Sequence, residues 1–209
     1  MKKFLLFLLI LAGGFLVYKF YFKKEKPKGD KPQPIVVSQH SKEFNHAVEN
    51  ILDAYFNMNE GFVNWDSTVV NKEAEKLRQT LKEFNIDELK KDSVIYETVL
   101  FPLNNAVSAV TNIQTETEWL KKRQGLQDLS DNLRTLLLTI KYDQRIVYWQ
   151  ECPMAFGEGM SGNWLSNKED VVNPYLGKKD PKYGDGMLNC GKTKMAINFM
   201  PPVEGDEKK

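Results

Sequence analysis

Residues 40–62 read "HSKEFNHAVENILDAYFNMNEGF". Within them Phe44, Val48, Ile51, Tyr55, Met58 and Phe62 follow one another at steps of 4, 3, 4, 3 and 4. An α-helix turns about once every 3.6 residues, so these six side chains line one face. A face that apolar must be buried against other elements. The same period recurs three times downstream. Val70, Ala74, Leu77, Leu81 and Phe84 form a second stripe, with Asp66 or Ser67 placed to cap its helix. Ile95, Val99, Leu103, Ala106, Val110 and Ile113 form a third, with Pro102 inside it predicting a kink. Leu126, Leu129, Leu133, Leu136 and Ile140 form a fourth, and Thr115 with Glu118 has the spacing of a capping box. Gly61 and Asn64 mark the end of the first helix. Four amphipathic helices with short connections predict a mainly α fold, an antiparallel up-down four-helix bundle over residues 39–142.

Beyond the bundle the texture changes. "RIVYWQE" (145–151) is β-branched and aromatic and predicts a short strand, and "KMAINFM" (194–200) predicts a second one closing against it. Between them lie "GEGMSGNW", "NPYLG" and "DPKYGDG", rich in turn residues. Residues 143–201 therefore form a loop-rich segment, too small for a core of its own, that packs on the bundle.

Upstream, "MKK" precedes a largely apolar run from Phe4 to Phe22, interrupted by Lys19. Residues 1–22 are long enough to span most of a bilayer and are read as an uncleaved, single-pass signal anchor. That anchor would hold the domain at the periplasmic face of an inner membrane. Cleavage of the same stretch is the alternative and would leave a secreted or periplasmic domain. Residues 23–38, with Pro27, Pro32 and Pro34 among lysines, read as a linker, and 202–209 as a charged tail.

A net charge of +1 with no long one-sign run in the body of the chain argues against a nucleic-acid footprint. There is no Ser-His-Asp set, no phosphate-binding glycine loop and no zinc-type histidine spacing, so the chain does not read as an enzyme. His40 and His46 read as surface residues, and Trp149 and Trp164 as anchors of the fold.

The sulfur atoms stand out. Cys152 and Cys190 are the two cysteines, and five of the seven methionines follow Cys152. In extended chain, "CPM" puts Cys152 and Met154 on one face, while the step from Met187 to Cys190 suits a turn. Thiolates and thioethers are soft donors, so two converging pairs can form a soft-metal site. Two cysteines in an exported domain can equally form a disulfide, worth about 4 kcal/mol for this loop length on the chain-entropy model. Buried packing of free thiols is the third possibility. The aromatic richness of the segment also leaves room for a small-ligand pocket against the bundle.

Taken together, "CPMA", "WLS", "NPY" and "MLNCG" resemble a bacterial family of uncharacterised exported domains, also found at the ends of periplasmic adaptor subunits of heavy-metal efflux systems. The matching residues are Cys152 to Ala155, Trp164 to Ser166, Asn173 to Tyr175 with Gly177, and Met187, Leu188, Cys190 and Gly191. Arg123 to Leu137 is similar to the family's last bundle helix. The resemblance covers about residues 40–192. It implies a helical domain with a metal-associated C-terminal segment that takes copper; with the N-terminal anchor and the paired sulfurs, the chain reads as a membrane-tethered Cu(I) protein with Cys152, Met154, Met187 and Cys190 as ligands and heavy-metal efflux components as partners. In that site Pro153 would stiffen the first ligand loop, and Asn173 with its neighbours would surround the ligands with hydrogen bonds. The chain departs from the pattern at Leu176, where an aromatic is usual, and by an insertion, "KKDPKYGDG", ahead of Met187. The alternative that needs no metal is a structural or interaction module stapled by a Cys152–Cys190 disulfide.

Overall fold

The computed structural model describes residues 38–201. Four helices come first: α1 (Lys42–Asn64), α2 (Ser67–Glu83), α3 (Ser93–Thr115) and α4 (Trp119–Ile140), with a short 3₁₀ helix at Asp87–Lys91 before α3. Three strands follow, β1 (Val147–Cys152), β2 (Gly162–Ser166) and β3 (Lys192–Ile197). The mainly α bundle with a small stranded segment is the architecture expected from the periodicity. All four stripes point inward: every residue named in them is buried except Ile95, which is half-buried against the core.

Local chemistry sets the helix ends. The Ser41 hydroxyl accepts from the Phe44 N–H, and the carboxylates of Asp66 and Asp92 each accept two N–H groups at the starts of α2 and α3. These bonds satisfy donors that the helix itself leaves free. Trp65 takes a left-handed conformation (φ 55°), and Asp66 N–H bonds back to Gly61 O at 2.9 Å, turning the chain tightly into α2. The capping box does not form. The Thr115 hydroxyl bonds back to Thr111 O and Asn112 O within its own helix, and Glu118 occupies the cap position without a side-chain bond. α3 runs through Pro102 as one helix, with the proline ring buried.

α1 and α4 close the bundle antiparallel. His40 meets Ile140 O at one end, Tyr55 OH meets Ser130 Oγ at 2.7 Å in the middle, and the rings of Phe62 and Trp119 sit 6.0 Å apart at the other end. His40 is thus not the surface residue expected. Its side chain is 5% exposed, stacked on Phe44, with one ring nitrogen 2.7 Å from Glu88 and the other 2.7 Å from Ile140 O. Two cations are also buried in α4. Lys122 Nζ donates to Asn71 Oδ1 and Ile113 O, and the Arg123 guanidinium lies 3.9 Å over the Trp65 ring.

The sheet is antiparallel with strand order β2-β1-β3. β3 pairs with β1 as expected but begins at Lys192 and ends at Ile197, nearer the second cysteine than the expected 194–200. β2 was not expected. It exposes an edge to the bundle, and side chains there take every outward main-chain group of Asn163 and Leu165. Gln127 accepts from Asn163 N–H and Tyr175 OH donates to Asn163 O, while Tyr55 OH accepts from Leu165 N–H and Asn59 donates to Leu165 O. Unpaired main-chain groups are costly to bury, so these bonds are what let the sheet dock edge-on against helices. Val147, Cys152, Trp164, Leu165, Tyr175, Leu176 and Ile197 join the helices in one continuous core.

Candidate functional site

The motif segments converge at the end of β1. Cys152 is the last residue of that strand and pairs with Gly162 on β2. On the other side the β3 pairing begins at Glu151 with Lys192, so the "NCG" turn arrives directly beside Cys152. Gly191 makes that approach possible. Its φ is 144°, and a Cβ there would stand 2.5 Å from Glu151 O, so a side chain would push the turn off the strand. The Cys190 N–H closes the turn on Met187 O at 3.0 Å.

Asn173, fully buried, ties the pieces together. Its Oδ1 accepts from Tyr175 N–H at 2.8 Å and Leu176 N–H at 3.2 Å, forming the "NPYLG" turn. Its Nδ2 donates to Cys190 O at 2.9 Å, and its own N–H donates to Leu188 O at 2.8 Å. The turn then clamps the end of α1. Trp65 Nε1 donates to Leu176 O, Lys178 N–H donates to Val63 O, and Gly177 (φ 60°) passes so close that a Cβ would lie 2.6 Å from Val63 O. Beneath it, the Tyr175 ring is packed edge-on between Phe156 and Trp164.

The Cys152 thiol is therefore enclosed, with no solvent exposure. Burial pushes the Cys152 thiol up from its ordinary value, and hydrogen bonding by the Met154 main chain and the Asn173 side chain offsets the rise only in part. Cys190 is half-buried, and both cysteines are free thiols. Of the four expected ligands, the structure brings Cys152 and Cys190 side by side, one at the end of β1 and the other in the turn ahead of β3. Met154 and Met187 supply main-chain atoms to the same turns, and their thioethers pack part-buried against the core. Trp149 and Trp164 are buried anchors, as expected.

The metal expectation is corrected here. Among the described residues no group of three or more His, Cys, Asp or Glu side chains gathers where it could hold an ion, and the copper and efflux reading is left without support. The membrane expectation is corrected as well. Among the described residues no helix is long and apolar enough to cross a bilayer, so none serves as the single-pass anchor. The stretch 4–22 that prompted it lies outside the described residues.

The bundle matches a known family model. Residues 51–145, just under half of the chain, fit a family described as a protein of unknown function, DUF3347. The match ends before "CPMA" and carries no link to an efflux system. No curated protein and no solved structure matches the chain.

Sequence reasoning missed the docking side chains Tyr55, Asn59 and Gln127. Asn59 and Gln127 are polar residues on helical faces and carry no periodic signal, and Tyr55 was read only as apolar core. A cleft of about 180 Å³ does open between α1 and residues 164–172, lined by Phe56, Asn59, Trp164 and Lys168, but no residue of the thiol site lines it.

Proposed function

We propose that the chain is a non-catalytic structural module in which the Cys152–Cys190 pair closes as a disulfide and staples the C-terminal segment to the bundle. One observation carries the reading: two cysteines thirty-eight residues apart in sequence lie side by side in the folded chain, set there by Asn173 and by the β1–β3 pairing. Neighbouring thiols join by losing two hydrogens, and the β1–β3 pairing already holds the strands that carry them together. On the chain-entropy model, a loop of this length contributes up to about 4 kcal/mol when closed. The segment gains most, because its strands have no core apart from the bundle.

The test is intact-mass measurement of the folded chain under non-reducing conditions, before and after mild oxidation, with alkylation of any remaining thiols. The expected outcome is a product lighter by two hydrogens, resistant to alkylation and more stable to urea than the reduced chain. Two thiols still open to alkylation in the unfolded chain after oxidant treatment would refute it.

A further inference from the structure

The two thiols occupy unlike positions. Cys190 sits in a turn whose flanking residues, Asn189 and Gly191, are exposed, and it is itself half-buried. Cys152 has no exposure and lies under Asn173, Met154 and Cys190. A dissolved reagent therefore reaches Cys190 more readily than Cys152, while the β1–β3 pairing already sets the two residues side by side.

We propose that Cys190 is the exchange thiol of the pair and Cys152 the resolving thiol, so that the module is closed and opened by a low-molecular-weight disulfide and its thiol. This rests on the structural-module reading above and adds the route by which its staple forms. In the closing direction the Cys190 thiolate attacks one sulfur of the small disulfide, forming a mixed disulfide and releasing one small thiolate. The Cys152 thiolate then attacks the Cys190 sulfur, forming Cys152–Cys190 and releasing the second small thiolate. The two protons leaving the protein thiols protonate the two released thiolates. The protein is oxidised by two electrons and the small disulfide is reduced to two thiols.

The surroundings of Cys152 suit the resolving role. Its own nucleophilicity toward solvent is suppressed by enclosure, so it does not compete for the reagent. Asn173, whose Nδ2 holds the Cys190 carbonyl at 2.9 Å, keeps Cys190 beside the end of β1 while Cys152 attacks. In the opening direction a small thiolate attacks Cys190, the more exposed end, and Cys152 leaves as the thiolate and takes up a proton. Asn173 is a positioning residue in both directions, because it holds the Cys190 carbonyl.

Oxidised glutathione is the probe, applied to the full chain and to its Cys152→Ser and Cys190→Ser variants, with intact mass and peptide mapping as the readout. The expected result is that Cys152→Ser gains one glutathione on Cys190 and stops there. Cys190→Ser should react at least about tenfold more slowly, and the native chain should close without accumulating an adduct. Comparable adduct formation on Cys152 in the Cys190→Ser variant would overturn the assignment, even if the native chain still closes. A native chain that holds a Cys190 adduct and never closes would instead overturn the staple itself. Should either variant lose its fold by circular dichroism, timed alkylation of the native reduced chain decides. Cys190 must label at least about tenfold faster than Cys152, and equal rates refute the order.

Discussion

The helical bundle and the C-terminal segment share one apolar core but are specified by different physics. The bundle is set by four apolar stripes, a pattern in which almost any side chain of similar volume would serve. The segment is set by directed bonds, with Asn173 spanning three pieces of chain, two glycines passing within contact of carbonyls, and an edge strand capped by helix side chains. Shape-filling tolerates change gradually. Directed bonding fails one group at a time, and each lost partner leaves a buried polar atom unsatisfied.

Removing volume from the bundle should give the largest effect. Leu126→Ala empties a site with no exposure in α4 and should cost about 3 kcal/mol. Because the core is continuous, urea unfolding should still show one transition for helices and strands together. Two separated transitions would break the comparison by showing that the parts have independent cores. Asn173→Ala should act locally. It removes three side-chain hydrogen bonds within the "NPYLG" and "NCG" turns, worth about 2 kcal/mol together. Hydrogen exchange should then speed up across β1 and β3 while the middle of α4 keeps its protection. Uniform loss of protection would show that the segment has no stability apart from the bundle.

How much of this was legible follows the same division. Periodicity found all four helices because each stripe repeats over several turns, and Asp66 was identifiable as a cap from its type and place. The Thr115–Glu118 box failed because a threonine at a helix end can bond its own preceding turn. β2 went unseen because "GNWLS" opens with turn residues and its edge is satisfied by distant helices, which no local pattern encodes. β3 was placed too late because Lys192 and Lys194 hid the alternation with Thr193 and Met195. The cysteines were visible by their scarcity and their proximity was not, since it depends on a three-strand register and on Asn173. Histidine at position 40 misled for a related reason, its two partners lying 48 and 100 residues away.

The smallest expected effect concerns the neck, residues 38–41, where the chain enters the bundle. Burial works to raise the Glu88 carboxyl, but hydrogen bonds from Ser41 and His40 outweigh it and hold Glu88 below the usual carboxylate range. A group depressed in the folded chain stabilises it above the unfolded pKa, and that contribution is lost as pH falls through the folded value. Acid titration should therefore loosen the amides of residues 38–41 before those of the thiol site. The reverse order, read by hydrogen exchange, would show that the segment is the more acid-sensitive part.

The capped edge of β2 has a consequence for assembly. A small sheet ordinarily offers two edges on which another strand could grow, and stacking of that kind is how soluble domains convert into fibres. Here one edge is already consumed by Tyr55, Asn59, Gln127 and Tyr175, so an incoming strand would have to displace all four. The other edge is β3, where Lys192 and Lys194 share the single carboxylate of Glu151 and keep a net positive charge that would face its own copy in a symmetric pairing. Sheet-to-sheet growth is thus opposed at one edge by hydrogen bonds and at the other by charge.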